Sequence, residues 1–426
     1  MSEPTTQPVT AVVQDDAAPP RRLAWELSLL LPATAGMFSV FQGMQAVLLP
    51  QQVADINSHD KVNMLAVLAA AGALLAAIAN PLAGALSDRT RTRFGHRAPW
   101  LLITAVLAAL ALLLLAGQQS YFLLGAVYCL VMLVMGSYQA VISAIVPDRI
   151  PAERRGTASA VVGVATPIGV LYGVNMVSKV TTSPLAGYAV LGGTLVLFAL
   201  IFVLFTRDAP RPPGTNKRQS GSALTALTLF FSSFKSRDFA WAFTARMILM
   251  FGYWSVSSYL LYTLQDYIKA DTIPGHDAVS AVGTLTTINM GCLLAGTIVS
   301  GWLSDRIARR KILVILSSAL AGIALIVPLV SPTWTGMIVF EVVFGFAFGA
   351  YLSVDAALMT LVLPGDSDNA RDLGILNVAT TGPQVLSQFI GALVINSLGG
   401  YGSLFVFAIG CAVLGAFAIV PIRSVR

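Results

Sequence analysis

The sequence predicts an all-α polytopic membrane protein with twelve transmembrane helices in two pseudo-symmetric six-helix bundles. Three observations support this fold class: the composition, the number of apolar runs, and an internal repeat. Of the 426 residues, 56% are hydrophobic and 11% are charged, and the mean hydropathy is +0.78. Because a soluble domain carries roughly 25% charged residues, most of this surface must face lipid. The composition therefore excludes most soluble enzymes, nucleic-acid binders and disordered scaffolds.

Twelve apolar runs are long enough to cross a bilayer, which requires about 20 mostly apolar residues. They are residues 25–50, 63–86, 99–117, 121–146, 157–178, 185–206, 239–264, 279–303, 312–329, 334–363, 373–395 and 401–422. The first run is too long for a signal peptide, and no cleavage pattern precedes it. We therefore expect residues 1–22 to form a disordered cytoplasmic tail.

The Lys and Arg residues predict the orientation in the membrane. With the amino terminus in the cytoplasm, 22 of the 26 Lys and Arg residues fall in inner segments, as cytoplasmic loops require. We therefore expect a multi-pass protein of the cytoplasmic membrane with both termini inside. The longest connection, 207–238, is polar and rich in proline, which predicts a flexible cytoplasmic linker. It separates a bundle at 23–206 from one at 239–422, and 423–426 form the cytoplasmic carboxyl terminus.

Two landmarks recur along the chain at the same offset. The turn Gly84 to Arg89 matches the turn Gly301 to Arg306, and Pro147 matches Pro364. Both pairs lie 217 positions apart. Two matches in register indicate two homologous halves of six spans in parallel orientation.

Through these turns and its two six-span halves the chain resembles the major facilitator superfamily, whose substrate sites lie near mid-membrane between the halves. The run from Ser87 to Trp100 further resembles the signature of glycoside–pentoside–hexuronide:cation symporters and related sucrose transporters, and residues 355–374 are similar to the same group. The resemblance implies a sugar or glycoside as substrate. Sodium-coupled members carry acidic residues in the second and fourth helices, whereas 62–86 and 121–146 contain no Asp or Glu. This difference favours proton coupling or uniport.

Charged side chains at membrane depth are costly and usually face a cavity or a partner. Arg246 and Asp355 lie at matching depths, about 10–14 Å from the inner boundary at 1.5 Å per residue, so we expect them to pair. Asp355 is predicted to bind a proton or substrate; the alternative is a purely structural partner of Arg246. Glu341, nearer the outer face, is a second candidate for proton coupling.

Sugar recognition requires hydrogen-bonding side chains and flat aromatic surfaces. The predicted substrate-binding residues are Gln42, Gln45, Tyr138, Gln139, Arg246, Trp254, Asp355 and Asn377. Weaker candidates of the same kinds are Asn175, Tyr253, Tyr259, Asn289 and Gln384. For each of them the alternative is an interhelical hydrogen bond or an interfacial aromatic. The repeat favours Tyr138, because it lies 217 positions before Asp355.

The two repeated turns predict a gate at the inner end of the bundle. Its predicted members are Asp88, Arg89, Arg97, Asp305 and Arg306. Carboxylates there can accept hydrogen bonds from helix starts or pair with basic residues of the other half. The alternative is that the basic residues only set the orientation.

The sequence contains no phosphate-binding loop, nucleophile–histidine arrangement or metal-ligand spacing. We therefore expect no enzymatic activity, no cofactor, no metal and no nucleic-acid partner. We expect a monomer that moves a small-molecule substrate, together with a proton, by alternating access. One alternative is a proton-coupled exporter of amphipathic, drug-like compounds. Another is a non-transporting membrane receptor, for which the sequence offers no soluble signalling domain.

Overall fold

A computed structural model describes residues 20–90, 92, 95–150, 154–181, 183–206, 234, 236–307, 309–362 and 369–422. Within these ranges the side chains of 20–23, 360–362, 369–378, 380 and 381 are not described. Nearly all of the predicted tail and linker, and the whole predicted carboxyl terminus, lie outside the described residues. The predicted domain boundaries therefore stay predictions.

The described chain forms twelve long helical segments. In the first half they are α1 (Pro20–Gly43, continued by a π-helical turn Met44–Leu48 and by Leu49–Ile56), α2 (Lys61–Arg89), α3 (Ala98–Ala116), α4 (Tyr121–Arg149), α5 (Arg155–Asn175, continued by Met176–Val180) and α6 (Pro184–Phe205). In the second half they are α7 (Arg237–Ser258 and Leu260–Asp266), α8 (Ala278–Ile307), α9 (Arg310–Ala324, continued by Val327–Val330), α10 (Trp334–Val362), α11 (Asn369–Leu398) and α12 (Tyr401–Ile419).

These segments match the twelve predicted spans. Among the described residues, ten segments are long and apolar enough to cross a membrane, and α7, bent by 51°, is an eleventh when its two parts are counted together. The remaining segment, α11, has 30 residues, or about 45 Å at 1.5 Å per residue. The fold class predicted from the sequence is confirmed.

The helices pair in the same way in both halves. In the first half α1 packs on α5, α2 on α4 and α3 on α6; in the second half α7 packs on α11, α8 on α10 and α9 on α12. Each pair in one half thus has its counterpart six helices later, as the sequence offset predicts. The halves meet along two seams that are also equivalent by symmetry, α2 against α11 and α5 against α8.

The two ends of the bundle differ in charge. We call the end that carries the Asp88-Arg89 and Asp305-Arg306 turns the basic end, and the opposite end the far end. Further basic residues, Arg97 and Arg149, lie at the start of α3 and the end of α4. The far end carries the start of α2 at Lys61 and the end of α7 at Asp266.

Glycines allow α8 and α10 to cross at close range. A Cβ atom added at Gly345 would lie 2.6 Å from the carbonyl oxygen of Asn289, and one added at Gly349 would meet the carbonyl of Leu293. Gly296 of α8 lies equally close to the backbone of α10. Small residues at helix crossings are a common device of membrane proteins, because van der Waals packing drives helix association in lipid. This crossing brings Asn289 beside α10.

We predict that Gly349→Ala lowers the thermal stability of the purified protein, because the new methyl group forces the two backbones apart. Overpacking of this kind costs about 1–3 kcal/mol. The matched control is Gly291→Ala on α8, where an added Cβ meets no atom within 4 Å. Its melting temperature should equal or slightly exceed that of the wild type, since alanine favours helix. Equal melting temperatures for both variants would contradict the prediction.

Candidate functional site

A cavity of about 890 Å³ lies between the two halves. Residues of α1 and α5 line it on one side, and residues of α7, α8, α10 and α11 on the other. Ser159, Gly163 and Ala356, near the basic ends of α5 and α10, are exposed parts of this lining, so the cavity opens toward the basic end. Its volume falls within the range of pockets that bind small molecules.

The second half contributes an aromatic wall. Tyr253 stacks on Phe348, with ring centroids 3.6 Å apart and planes 6° apart, and on Phe344 at 5.6 Å and 13°. Trp254 contacts Tyr253 edge to face at 5.3 Å. The indole nitrogen of Trp254 is buried and, within the described chain, has no hydrogen-bond partner. The wall therefore offers flat apolar surfaces and one free donor.

Amide side chains line other parts of the cavity. Gln42 and Gln45 project from α1, and Gln384 and Gln388 from α11. The amide nitrogen of Gln45 lies 3.9 Å from the sulfur of Met132, a weak contact that leaves its hydrogen-bonding capacity largely unused. These amides can donate to, and accept from, the hydroxyl groups of a bound solute.

A carboxylate joins this lining at the α8–α10 crossing. Glu341 is 5% exposed, and its Oε2 accepts a hydrogen bond of 2.6 Å from the Asn289 side chain. Both residues line the cavity. Among the described residues that line it, Glu341 is the one Asp, Glu, Lys, Arg or His.

The expected contact between Arg246 and Asp355 is present. A guanidinium nitrogen of Arg246 lies 3.4 Å from Oδ2 of Asp355, and the two side chains are 16% and 5% exposed. Neither residue is among those that line the cavity. The pair therefore connects α7 to α10 in the interior of the second half, with Tyr351 one helical turn before Asp355.

Other predicted binding residues lie elsewhere. Tyr138 is fully buried and donates a hydrogen bond of 3.2 Å to the carbonyl of Ala33, and neither it nor the half-buried Gln139 is among the lining residues. The side chain of Asn377 lies outside the described residues. Tyr138 and Asp355, which the repeat makes equivalent, thus share a position in the interior of their own halves.

Two weaker candidates form interhelical hydrogen bonds. Asn175 donates to the hydroxyl of Thr287 across the α5–α8 seam at 2.9 Å. Tyr259 donates to the backbone carbonyl of Gln388 at 2.6 Å. Both residues therefore fit the alternative given for them above, an interhelical hydrogen bond.

The predicted gating residues of the first half form a network at the basic end. The guanidinium of Arg97, 4% exposed, lies 2.5 Å from a carboxylate oxygen of Asp88 and 2.9 Å from Asp148, and it also donates to the hydroxyl of Ser87. His96 lies 3.4 Å from the same oxygen of Asp148. These contacts tie α2, α3 and α4 together within one half.

The other predicted gating residues are exposed at the basic end. Arg89 and Asp305 are both exposed. Arg306 is exposed as well, and its guanidinium lies 5.3 Å from the ring centre of Trp302 on the same helix.

A polar cluster that the sequence analysis missed joins the two halves at the far end. The ammonium of Lys61, on α2, lies 2.8 Å from both carboxylate oxygens of Asp266 on α7. Tyr401 donates a 2.7 Å hydrogen bond to Asp266, and Tyr262 donates one of 2.9 Å to the carbonyl of Pro50 on α1. We call these five residues the far-end cluster. No local pattern in the sequence indicates a role for Lys61, because its partner lies 205 positions away.

Hydrogen bonds at the two seams add to the far-end cluster. Asn396 of α11 donates to Asn63 of α2 at 2.6 Å at one seam, and Asn175 donates to Thr287 at the other seam. The halves are thus tied by polar contacts at the far end and separated by the cavity toward the basic end.

Comparison with known proteins identifies the family. A model described as "Major Facilitator Superfamily" matches residues 33–274 and 275–425. The "MFS transporter asaE" of Aspergillus flavus is 25% identical over 269 residues, which is 63% of this chain and 58% of that protein. The "Cis,cis-muconate transport protein" of Acinetobacter baylyi is 24% identical over 299 residues, 67% of this chain and 68% of that protein.

Solved structures of transporters share the fold. The nucleoside transporter NupG has a TM-score of 0.69 at 17% identity, covering 93% of this chain and 98% of that chain. A bacterial homologue of the human lysosomal transporter Spinster, in an inward-facing and occupied conformation, has a TM-score of 0.66 at 14% identity, covering 95% and 97%. At these identities the likeness establishes the fold and leaves the substrate open. The family match over nearly the whole chain shows that the protein belongs to the Major Facilitator Superfamily, as a multi-pass membrane transporter and not an enzyme.

Proposed function

We propose that this protein is a secondary active transporter that moves a sugar or glycoside across the cytoplasmic membrane by alternating access, together with a proton. The observation that carries the proposal is the cavity between the halves, which is tied shut at the far end and opens at the basic end. A solute bound there has access to one side of the membrane. Rocking of the halves about the site would expose it to the other side.

The orientation follows from the basic residues. Arg89, Arg97, Arg149, Arg306 and Arg310 cluster at the basic end, and cytoplasmic segments are enriched in such residues. With this end in the cytoplasm, both termini are inside and the described conformation is inward-open. We propose that the protein works in this way as a monomer.

The chemistry of the lining favours a glycoside. The amides of Gln42 and Gln45 can bond to sugar hydroxyls, and Tyr253 and Trp254 can stack on the apolar face of the ring. No Lys, Arg or His occurs among the described lining residues, so a dianion would lack a partner for its charge. A nucleoside, the substrate named for NupG, is itself a glycoside. These features agree with the resemblance to glycoside symporters.

A second candidate function is proton-coupled export of amphipathic cations. It is favoured by the carboxylate of Glu341 beside aromatic rings, since a cation is attracted to both. The two candidate functions differ in the predicted role of the amide side chains. A glycoside would form hydrogen bonds with Gln42 and Gln45, whereas a hydrophobic cation would form few or none.

We propose that the far-end cluster and the charged residues at the basic end act as the two gates of the transport cycle. The far-end cluster holds the outer side closed in the described state. At the basic end, Asp88 and Arg97 bond within the first half, and we propose that these residues, with Arg89, Asp305 and Arg306, form contacts between the halves when the inner side closes.

We predict that Gln45→Ala and Trp254→Ala each weaken saccharide binding about tenfold, the loss expected for about 1.4 kcal/mol of binding free energy. The measurement is a thermal-shift screen of the purified protein against mono- and disaccharides, aryl glycosides and cationic drugs, followed by titration of the best ligand. A ligand that binds only the folded state raises the melting temperature. The control is Gln119→Ala, an exposed amide in the loop after α3. Stabilisation by hydrophobic cations alone would overturn the glycoside proposal in favour of export.

We predict that Asp355→Asn abolishes pH-driven accumulation in proteoliposomes while substrate exchange between the two sides continues. The reason is that exchange requires only substrate binding and rocking, whereas accumulation requires a group that binds and releases the proton. Because the variant leaves Arg246 buried without its partner, the double variant Asp355→Asn/Arg246→Gln is made in parallel. Asp271→Asn, which removes an exposed carboxylate, is the control. Unchanged accumulation in Asp355→Asn would remove Asp355 from the coupling role.

We predict that Lys61→Met and Asp266→Asn shift the protein away from the inward-open state, because each removes one partner of a polar contact between the halves. The readout is thiol labelling at Ala356→Cys, an exposed position of the lining, after the three native cysteines are replaced. If the inward-open state loses about 1 kcal/mol of stability relative to the other states, its population falls severalfold. Labelling of the cysteine at position 356 should therefore fall severalfold. The exchanged pair Lys61→Asp/Asp266→Lys should restore it. Wild-type labelling in both single variants would contradict the prediction.

A further inference from the structure

Glu341 presents a buried carboxyl group to the cavity, and no Lys, Arg or His among the described lining residues lies beside it. Its carboxylate accepts a hydrogen bond from Asn289 at 2.6 Å, but an amide carries no net charge. Among the described residues Glu341 has no ion pair, whereas the other buried carboxylate, Asp355, lies 3.4 Å from Arg246. Ionised side chains at membrane depth are retained where they meet a partner, a cavity or a ligand. The missing partner of Glu341 is therefore to be sought among molecules that enter the cavity.

Aromatic residues share the cavity lining with this carboxyl group. Phe340 and Phe344 lie one and three positions from Glu341 on α10, and their rings are 4.9 Å apart. Tyr253 stacks on Phe344 and places its ring beside the same part of the lining. The faces of aromatic rings attract ammonium groups, and a carboxylate bonds to them strongly. Together these groups form a site suited to an organic cation of small size.

The buried indole nitrogen of Trp254 adds a second feature of a ligand site. It is an unpaired donor among the described residues, and its ring lies 5.3 Å from that of Tyr253. A buried donor without a partner is costly unless a ligand supplies the acceptor. A ring oxygen or hydroxyl of a glycoside is such an acceptor. The ammonium and the oxygen would then belong to one ligand.

We propose that Glu341 is a specificity-determining residue that selects glycosides bearing a protonated amine over their neutral counterparts. This inference rests on the proposed function and narrows its substrate class to amino sugars and other amine-bearing glycosides. Asn289 orients the carboxylate through one oxygen, which leaves the other free for the ammonium. Asp355 stays apart from this contact, because it faces Arg246 inside the second half and not the cavity.

The test compares two ligands that differ only in the charged group: phenyl glucosaminide, which carries the protonated amine, and phenyl glucoside, which carries a hydroxyl there. Affinities are measured by calorimetry on the purified full-length protein. The wild type should bind the amine-bearing ligand at least tenfold more tightly, as expected for a charge-assisted hydrogen bond. Glu341→Gln, which keeps an oxygen for Asn289, should reduce this preference to less than twofold, because it weakens the binding of phenyl glucosaminide more than that of phenyl glucoside.

Two further variants make the result specific. Asp271→Asn removes one exposed carboxylate outside the cavity and should keep the full preference. Glu341→Asp keeps the charge on a shorter side chain, so it should keep part of the preference. Melting temperatures of all variants establish that each one is folded. If Glu341→Gln does not fold, the comparison of the two ligands on the wild type and on Glu341→Asp still decides the question.

The outcomes separate this inference from the proposed function. Equal affinities of the wild type for both glycosides would overturn the selection of amines while leaving glycoside transport in place. If Glu341→Gln still binds phenyl glucosaminide more tightly than phenyl glucoside, the preference arises from another residue, and the inference is overturned as well. Binding of neither glycoside, together with binding of hydrophobic cations, would overturn the proposed function itself. If Glu341 serves only to bind a proton, both ligands will bind equally and Glu341→Gln will alter accumulation alone.

Discussion

In the low dielectric of the bilayer a buried ionisable side chain is costly unless it meets a partner or a cavity, and this constraint organises the molecule. The buried Lys and Arg and the buried carboxylates of the described chain illustrate it. Lys61 contacts Asp266 at the far end, Arg97 contacts two carboxylates at the basic end, and Asp355 contacts Arg246 inside the second half. The first contact joins the two halves, and the other two stabilise one half each. Glu341 differs, because its partner is a neutral amide.

The position of the cavity follows from which contacts cross between the halves. Polar bonds between halves lie at the far end, through Lys61 and Asp266 and through Asn63 and Asn396. At the basic end, the described contacts of Arg97 remain within the first half. Among the described residues, the polar contacts at the far end join the two halves, and the space between the halves opens toward the basic end.

The sequence was sufficient to predict the architecture and to name several residues that line the cavity, among them Gln42, Gln45 and Trp254, but not the contacts that join the two halves. The lengths of the apolar runs and the offset between the repeats can be read directly along the chain, and they are enough to predict the number of helices and the two halves. The contact between Lys61 and Asp266 joins residues 205 positions apart, so neither residue carries a local signal of it. For Tyr138 the offset correctly gave equivalence with Asp355, but equivalence does not tell whether a position faces the cavity. Both side chains are buried inside their own halves.

The helix arrangement is repeated in the two halves, whereas the hydrogen-bonded pair of Asn289 and Glu341 occurs in the second half without a counterpart in the first. Gly72 and Leu124 lie 217 positions before Asn289 and Glu341, on the equivalent helices α2 and α4. The first half thus has a glycine and an aliphatic residue where the second half has an amide bonded to a carboxylate. In that half, the added Cβ of Gly72 would meet the ring of Tyr128 at 2.5 Å, so the position serves close packing. A solute with one charged group would therefore bind in a single orientation, with that group toward the second half and its hydroxyls toward the amides of the first.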